Sequence, residues 1–217
     1  MADAYDRRNR GLAPISDNLH FLTQLVLADL PREARLLCVG VGTGAEILAL
    51  ARARPDWSFV GIDPSAEMLG VGRVRLEQAG VLQRCRLLQG YAEDAPEGPF
   101  DAAVSLLVAH FINRSERPAF YRAIHSRLRP GGRFVSAEIS CDLEAAEFPP
   151  MLEDWKQVQK VMGATPDSLA KLEMMMRNTL SVLNPSETEA LWRKAGFETP
   201  ISFFQAFMIR GWHATRR

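Results

Sequence analysis

The sequence predicts an α/β fold built on a mostly parallel sheet. Three observations carry that prediction. Short apolar runs alternate with stretches of helical periodicity, a glycine-rich turn joins the first apolar run to a helix, and two apolar runs close the chain with no room for a crossover helix between them. Strands alternating with helices imply right-handed parallel crossovers, whereas the closeness of the last two requires an antiparallel pair. In order, Leu19, Leu22, Leu25, Val26 and Leu30 recur at helical spacing up to Pro31. Arg35 to Gly40 reads as a buried strand, because its apolar residues run together instead of alternating. Ala45 to Ala53 is a helix closing before Pro55, and Trp57 to Ile62 a second strand. Asp63, Pro64 and Ser65 make a turn and helix start, and Ala66 to Ala79 a helix stopped by Gly80. Cys85 to Gly90, Phe100 to Leu107 and Arg133 to Ile139 supply three more strands, with a helix over Arg117 to Leu128 before the turn Pro130-Gly131-Gly132. From Glu144 to Lys194 the pattern is helical without intervening strands, and it holds Met151, Met162, Met174, Met175 and Met176, read as core filler and as an adaptable lid over an apolar ligand. Thr199 to Phe207 and Ile209 to Thr215 are the closing pair, with a bulge expected at Gly211.

Composition narrows the function. The 217 residues are 47% hydrophobic and 24% charged, which excludes collagen-like, low-complexity and disordered classes. With 26 basic and 26 acidic residues the formal charge is zero, so no field favours a polyanion. The basic ends, Arg7-Arg8-Asn9-Arg10 and Arg216-Arg217, are too short for a nucleic-acid arm and read as solvated. Cys38, Cys85 and Cys141 form no CxxC pair and suit reduced thiols, and the polar start MADAYDRRNR has no apolar signal segment. No run approaches the roughly 18 apolar residues of a membrane span. The expectation is a cytoplasmic monomer or homodimer with a small-molecule substrate, without membrane or nucleic-acid partner. His20, His110, His125 and His213 are scattered without ligand-spaced cysteines, so no metal site is expected.

The chemistry concentrates at Gly40-Val41-Gly42-Thr43-Gly44, between a strand and a helix, where glycines permit a tight turn and close backbone approach to a ligand. Asp63 strengthens the signal. It ends the next strand about 20 residues beyond the loop, where a carboxylate can accept from both hydroxyls of a ribose. Gly40-x-Gly42-x-x-Ala45 also satisfies the dinucleotide fingerprint, so a nicotinamide dehydrogenase has to be weighed. Against it stand the absence of a Tyr-x-x-x-Lys pair, the antiparallel closing strands, and Gly44, which makes the loop GxGxG and suits a nucleoside without a pyrophosphate.

These residues resemble the class I S-adenosylmethionine-dependent methyltransferases over nearly the whole chain. The resemblance implies one Rossmann-like domain over residues 1–217, with a helical cap at 1–30 and a seven-stranded, mostly parallel sheet whose last strand is antiparallel. It also implies a helical insertion at 144–194, between strands five and six, and S-adenosylmethionine as cofactor, leaving as S-adenosylhomocysteine. The loop resembles the family's first motif, with Cys38 where the family carries an acid. Gly40, Val41, Gly42 and Gly44 are the implied cofactor loop, Asp63 and Pro64 the ribose end, and Met68, Tyr91 and Ala92 the adenine pocket, with Tyr91 replacing a common Asp. Phe100-Asp101 through Ser105-Leu106 to His110 is similar to the fourth-strand motif beside the transferable methyl, which places Ser105 and Leu106 at the cofactor. Leu128-Arg129-Pro130-Gly131-Gly132 resembles the turn before strand five. Asn113 to Arg117, Ser186-Glu187-Thr188 and Ala195-Gly196-Phe197 are similar to the branch containing carboxy-S-adenosylmethionine synthase. That synthase needs an arginine for the added carboxylate, and the matching position falls in the Met174 to Met176 run, so the expected activity is methyl transfer. A cofactor-binding protein without catalysis is the further alternative. His110 after strand four and Glu138 at the end of strand five are the candidate catalytic residues, as base and as polar substrate contact, against a structural role for each. Tyr5, Trp155 and Arg210 are weaker candidates for the pocket roof.

Overall fold

The computed structural model describes residues 10–217. Its strands are β1 (Arg35–Val39), β2 (Ser58–Asp63), β3 (Cys85–Gln89), β4 (Phe100–Leu106), β5 (Leu128–Ile139), β6 (Ile201–Ala206) and β7 (Ile209–Thr215). They form one seven-stranded sheet in the order β3-β2-β1-β4-β5-β7-β6. The first five pair in parallel, and β7 runs antiparallel to both β5 and β6. The helices are α1 (Ala13–Val26), α2 (Ala45–Ala53), α3 (Ala66–Gln78), α4 (Arg117–Arg127), α5 (Phe148–Val161), α6 (Pro166–Ala170), α7 (Leu172–Asn178) and α8 (Pro185–Ala195).

Continuous apolar strands are explained by burial on both faces. In β1, Leu36 and Cys38 turn to one layer with Ile47 and Leu50 of α2 and Leu76 of α3. Leu37 and Val39 turn to the other, with Tyr121 and Ile124 of α4 and Trp192 of α8. A third core joins α1 to the helices between β5 and β6 through Leu19, Phe148, Leu152, Trp155 and Met176. From β1 the chain winds outward to β2 and β3 on one side, while β4 and β5 lie on the other. The connections leaving the carboxyl ends of β1 and β4 therefore diverge and leave a crevice between them.

Two local expectations change. The bulge near Gly211 is carried by β6: Ser202 pairs with Trp212 and Phe204 with Gly211, leaving Phe203 as the extra residue. A Cβ on Gly211 would stand 3.0 Å from the Phe203 ring, so the glycine makes room for the bulged aromatic. The turn at Pro130 to Gly132 lies inside β5, which pairs at Leu128 and resumes at Arg133. The reason is tertiary. Arg216 exchanges backbone hydrogen bonds with Gly131 and Gly132, and its guanidinium donates to the Leu128 and Ser126 carbonyls. Arg216 is thus a tether and not a solvated end. Among the described residues no helix is long and apolar enough to cross a membrane.

Candidate functional site

The crevice holds a cavity of about 950 Å³ at the carboxyl ends of β1, β2 and β4. Its floor is the loop after β1, where the Gly40 and Val41 N–H groups donate to the Ile62 carbonyl at 2.8 and 3.1 Å and strap the turn to β2. Gly40 adopts φ +72°, and a Cβ there would lie 2.3 Å from Val108 Cγ2. Only glycine satisfies both the backbone angle and the close approach. At Gly42, with φ +50°, the space a side chain would fill faces Met68 Cε.

Asp63 lies on the wall, only 9% exposed. Its Oδ2 accepts from the Gly42 N–H and its Oδ1 from the Ser65 N–H, each at 2.9 Å. Each oxygen keeps a lone pair for a ligand, since an ionised carboxylate offers about four acceptor sites. Ser65 then caps α3 by accepting from the Met68 N–H, which fixes Met68 beside the loop. The Gly90 N–H donates to the Asp63 carbonyl, so the turn after β3 is hung on the same residue.

Of the expected cofactor residues, Gly40, Gly42, Asp63, Pro64, Met68, Tyr91, Ala92 and Leu106 line the cavity. Val41, Gly44 and Ser105 do not. Val41 packs into the core against the Gly61 backbone, Gly44 is the left-handed N-cap of α2, and Ser105 is fully buried in β4. Neither catalytic candidate reaches the wall. His110 is 3% exposed, its Nδ1 accepts from the Ile139 N–H at 3.3 Å, and burial together with the nearby Arg117 charge lowers its pKa to about 3. It is a neutral core acceptor because a cation there would be neither solvated nor paired. Glu138 is equally buried and pairs with Arg117 at 2.5 Å, while Thr188 Oγ1 donates to it at 3.1 Å. Burial raises its pKa, against the opposing pull of Arg117. Trp155 belongs to the third core, Arg210 lies off the wall, and Tyr5 falls outside the described residues. None of the methionines between Glu144 and Lys194 lines the cavity; Met176 is core, and Met174 and Met175 are exposed.

Leu107 and Val108, within the stretch read as the fourth-strand motif, line the opposite wall, and the sequence reading missed its continuation through Phe111, Ile112, Glu116 and Phe120. Leu107 has φ +61°, a left-handed conformation costing a leucine about 1–2 kcal/mol, held by its N–H donating to the Ala137 carbonyl at 2.6 Å. The available signal was position, since the segment leaves a central strand at the carboxyl edge. Asp63, Glu93 and Glu116 are the charged lining residues, and no Lys, Arg or His is among the described ones. Cys38 faces the layer away from the cavity, buried, with its thiol pushed well above the ordinary range by burial. Behind the loop, Arg75 donates to Thr43 Oγ1 at 2.8 Å, and burial pushes the Glu46 carboxyl up to about 8.

Residues 36–132 match a methyltransferase domain family. The chain is 24% identical over 213 residues to carboxy-S-adenosyl-L-methionine synthase of Desulfotalea psychrophila, covering 97% of this chain and 87% of that protein. It is 31% identical over 144 residues to a ubiquinone/menaquinone biosynthesis C-methyltransferase of Geobacter sp., covering 64% and 60%. Among solved structures it is similar to the S-adenosylmethionine-dependent methyltransferase SibL, with a TM-score of 0.71, 19% identity and 94% of this chain covered. This chain spans 55% of the length of that structure.

Proposed function

We propose that this chain is a class I S-adenosylmethionine-dependent methyltransferase and that it methylates a small-molecule acceptor. One observation carries the site assignment. The buried Asp63 carboxylate, with each oxygen already fixed by a backbone N–H, offers its remaining lone pairs to two adjacent ribose hydroxyls. The residues present fit the cofactor: a side-chain-free cradle at Gly42, an apolar Met68 beside it, and a wall whose charged groups are carboxylates, which favours a sulfonium cation. Gly40, Gly42 and Leu106 hold the methionine end, Asp63 and Pro64 the ribose, and Met68, Tyr91 and Ala92 the adenine. Val41, Gly44 and Ser105 shape the loop and strand from behind.

Bound S-adenosylmethionine supplies a methyl group on a positively charged sulfur, already activated for in-line displacement. What the chain adds is alignment and exclusion of water. His110 and Glu138, held in the core, move no proton in this reading. Synthesis of a carboxylated cofactor, the activity in the name of the Desulfotalea relative, is the second reading. It is disfavoured because no cationic side chain lines the described wall, and Arg177, next to the methionine run, is occupied by Glu144, Glu173 and the Leu143 carbonyl. Calorimetry with S-adenosylhomocysteine, joined to mass spectrometry of ligand carried through native purification, tests the proposal. Wild type should bind and Asp63→Ala should lose about 2 kcal/mol or more. Unchanged affinity in the mutant, binding of NADH instead, or recovery of a carboxylated cofactor refutes it.

A further inference from the structure

Adenine carries an exocyclic amine, a hydrogen-bond donor that is costly to bury without an acceptor. The turn after β3, which meets the cavity through Gly90, Tyr91, Ala92 and Glu93, has no fixed carboxylate to offer. Its Asp94 is folded back into the turn: Oδ2 accepts from the Tyr91 N–H at 2.9 Å, and the same oxygen would stand 2.8 Å from a Cβ on Gly90. Asp94 does not line the cavity. Glu93 does, but no hydrogen bond holds its carboxylate.

Across the cavity the situation differs. Glu116, exposed at the entry to α4, lines the wall beside Ser115, in a stretch whose other lining residues, Phe111, Ile112, Ala119 and Phe120, are apolar. Asn113 Nδ2 donates to its Oε2 at 3.3 Å, and its Oε1 has no partner among the described residues. The turn that carries it is rigid, because the Asn113 carbonyl accepts from the N–H groups of both Glu116 and Arg117 at 2.9 and 3.1 Å. That turn is anchored from below. The Arg117 guanidinium, fully buried, donates to the Ile112 and Ser181 carbonyls and to Glu138. An apolar slot with one pre-oriented acceptor at its edge fits a purine that presents a donor there, and pre-orientation lowers the cost of binding it.

We propose that the Glu116 carboxylate, oriented by Asn113, accepts the exocyclic amine of the cofactor's adenine and thereby selects adenine over 6-oxopurines. A 6-oxopurine sets a carbonyl oxygen where the amine stood, so a carboxylate held at that position meets an acceptor and finds a donor only by shifting to the neighbouring N1–H. Selectivity follows from that mismatch. The inference rests on the cofactor site proposed above, so its test separates the two.

Titration calorimetry compares S-adenosylhomocysteine with S-inosylhomocysteine, which differ at C6, amine against carbonyl, and in the N1 proton that accompanies the carbonyl. Wild type should prefer the adenine compound by roughly 10- to 100-fold, the scale of a hydrogen bond to a charged acceptor. In Glu116→Gln the side-chain amide can donate to the inosine carbonyl, so the preference should fall below about threefold. Glu93→Gln should keep the wild-type preference. If Glu116→Gln retains both the affinity and the preference of wild type, or if Glu93→Gln is the variant that loses the preference, the assignment to Glu116 is wrong while the cofactor site stands. If wild type binds neither compound, the cofactor site falls and the assignment falls with it.

Discussion

Replacing Glu46 with glutamine should stabilise the protein at neutral pH. Glu46 is 8% exposed in the first turn of α2, close behind the glycine loop. Burial drives its pKa from the ordinary 4.5 up to about 8, the Asp63 charge adding to the rise while its own backbone N–H and Arg75 oppose it. A carboxylate near a helix N-terminus is favoured by at most about 1 kcal/mol at ordinary exposure, too little to offset that desolvation. The folded chain therefore holds the proton more tightly than the unfolded one. Stability from this group is complete below about pH 4.5 and is lost as the pH rises toward 8. Each pH unit in that window costs up to about 1.4 kcal/mol, so about 3 kcal/mol is lost by pH 7. Glutamine keeps the shape without the titration. Urea unfolding of both proteins at pH 5, 6, 7 and 8 should give a difference that widens with pH in favour of glutamine, all other titrating groups being common to the pair. Parallel stability curves would refute the claim that the carboxyl is protonated in the folded state.

Arg117→Met leaves Glu138 buried without its cation and should cost about 3–5 kcal/mol in urea unfolding, while adding Glu138→Leu should recover most of the loss. Gly40→Ala forces a Cβ against Val108 at a positive φ, and calorimetry should show S-adenosylhomocysteine binding weakened by about tenfold or more. The further change Val108→Ala should restore part of that affinity, leaving the backbone cost of about 1–2 kcal/mol. His110→Leu removes the acceptor of the Ile139 N–H and should lower stability by about 1–3 kcal/mol without altering S-adenosylhomocysteine affinity, which separates a core role from one at the ligand. Because His110 is neutral down to about pH 3, its contribution to stability is lost as pH falls below about 6.5, and the variant should lack that loss.

Periodicity and punctuation determine much of this protein locally. Continuous apolar runs mark β1, β2 and β4 because both faces of these strands are covered, and Pro55 and Gly80 stop helices by local backbone geometry. The glycine loop and Asp63 are legible for the same reason: a turn with positive φ and a strand-end carboxylate need particular residues at a set spacing. Burial of polar side chains is decided only by the tertiary structure. His110 and Glu138 stand at the carboxyl edge in sequence, yet His110 bonds Ile139 and Glu138 closes on Arg117 and Thr188, partners from elsewhere in the chain that no local pattern brings together. The same holds for the wall from Leu107 to Phe120 and for the tether at Arg216. A sequence states which side chains can pair, and packing selects the ones that do, because a buried polar group keeps its place only where the fold delivers its partner.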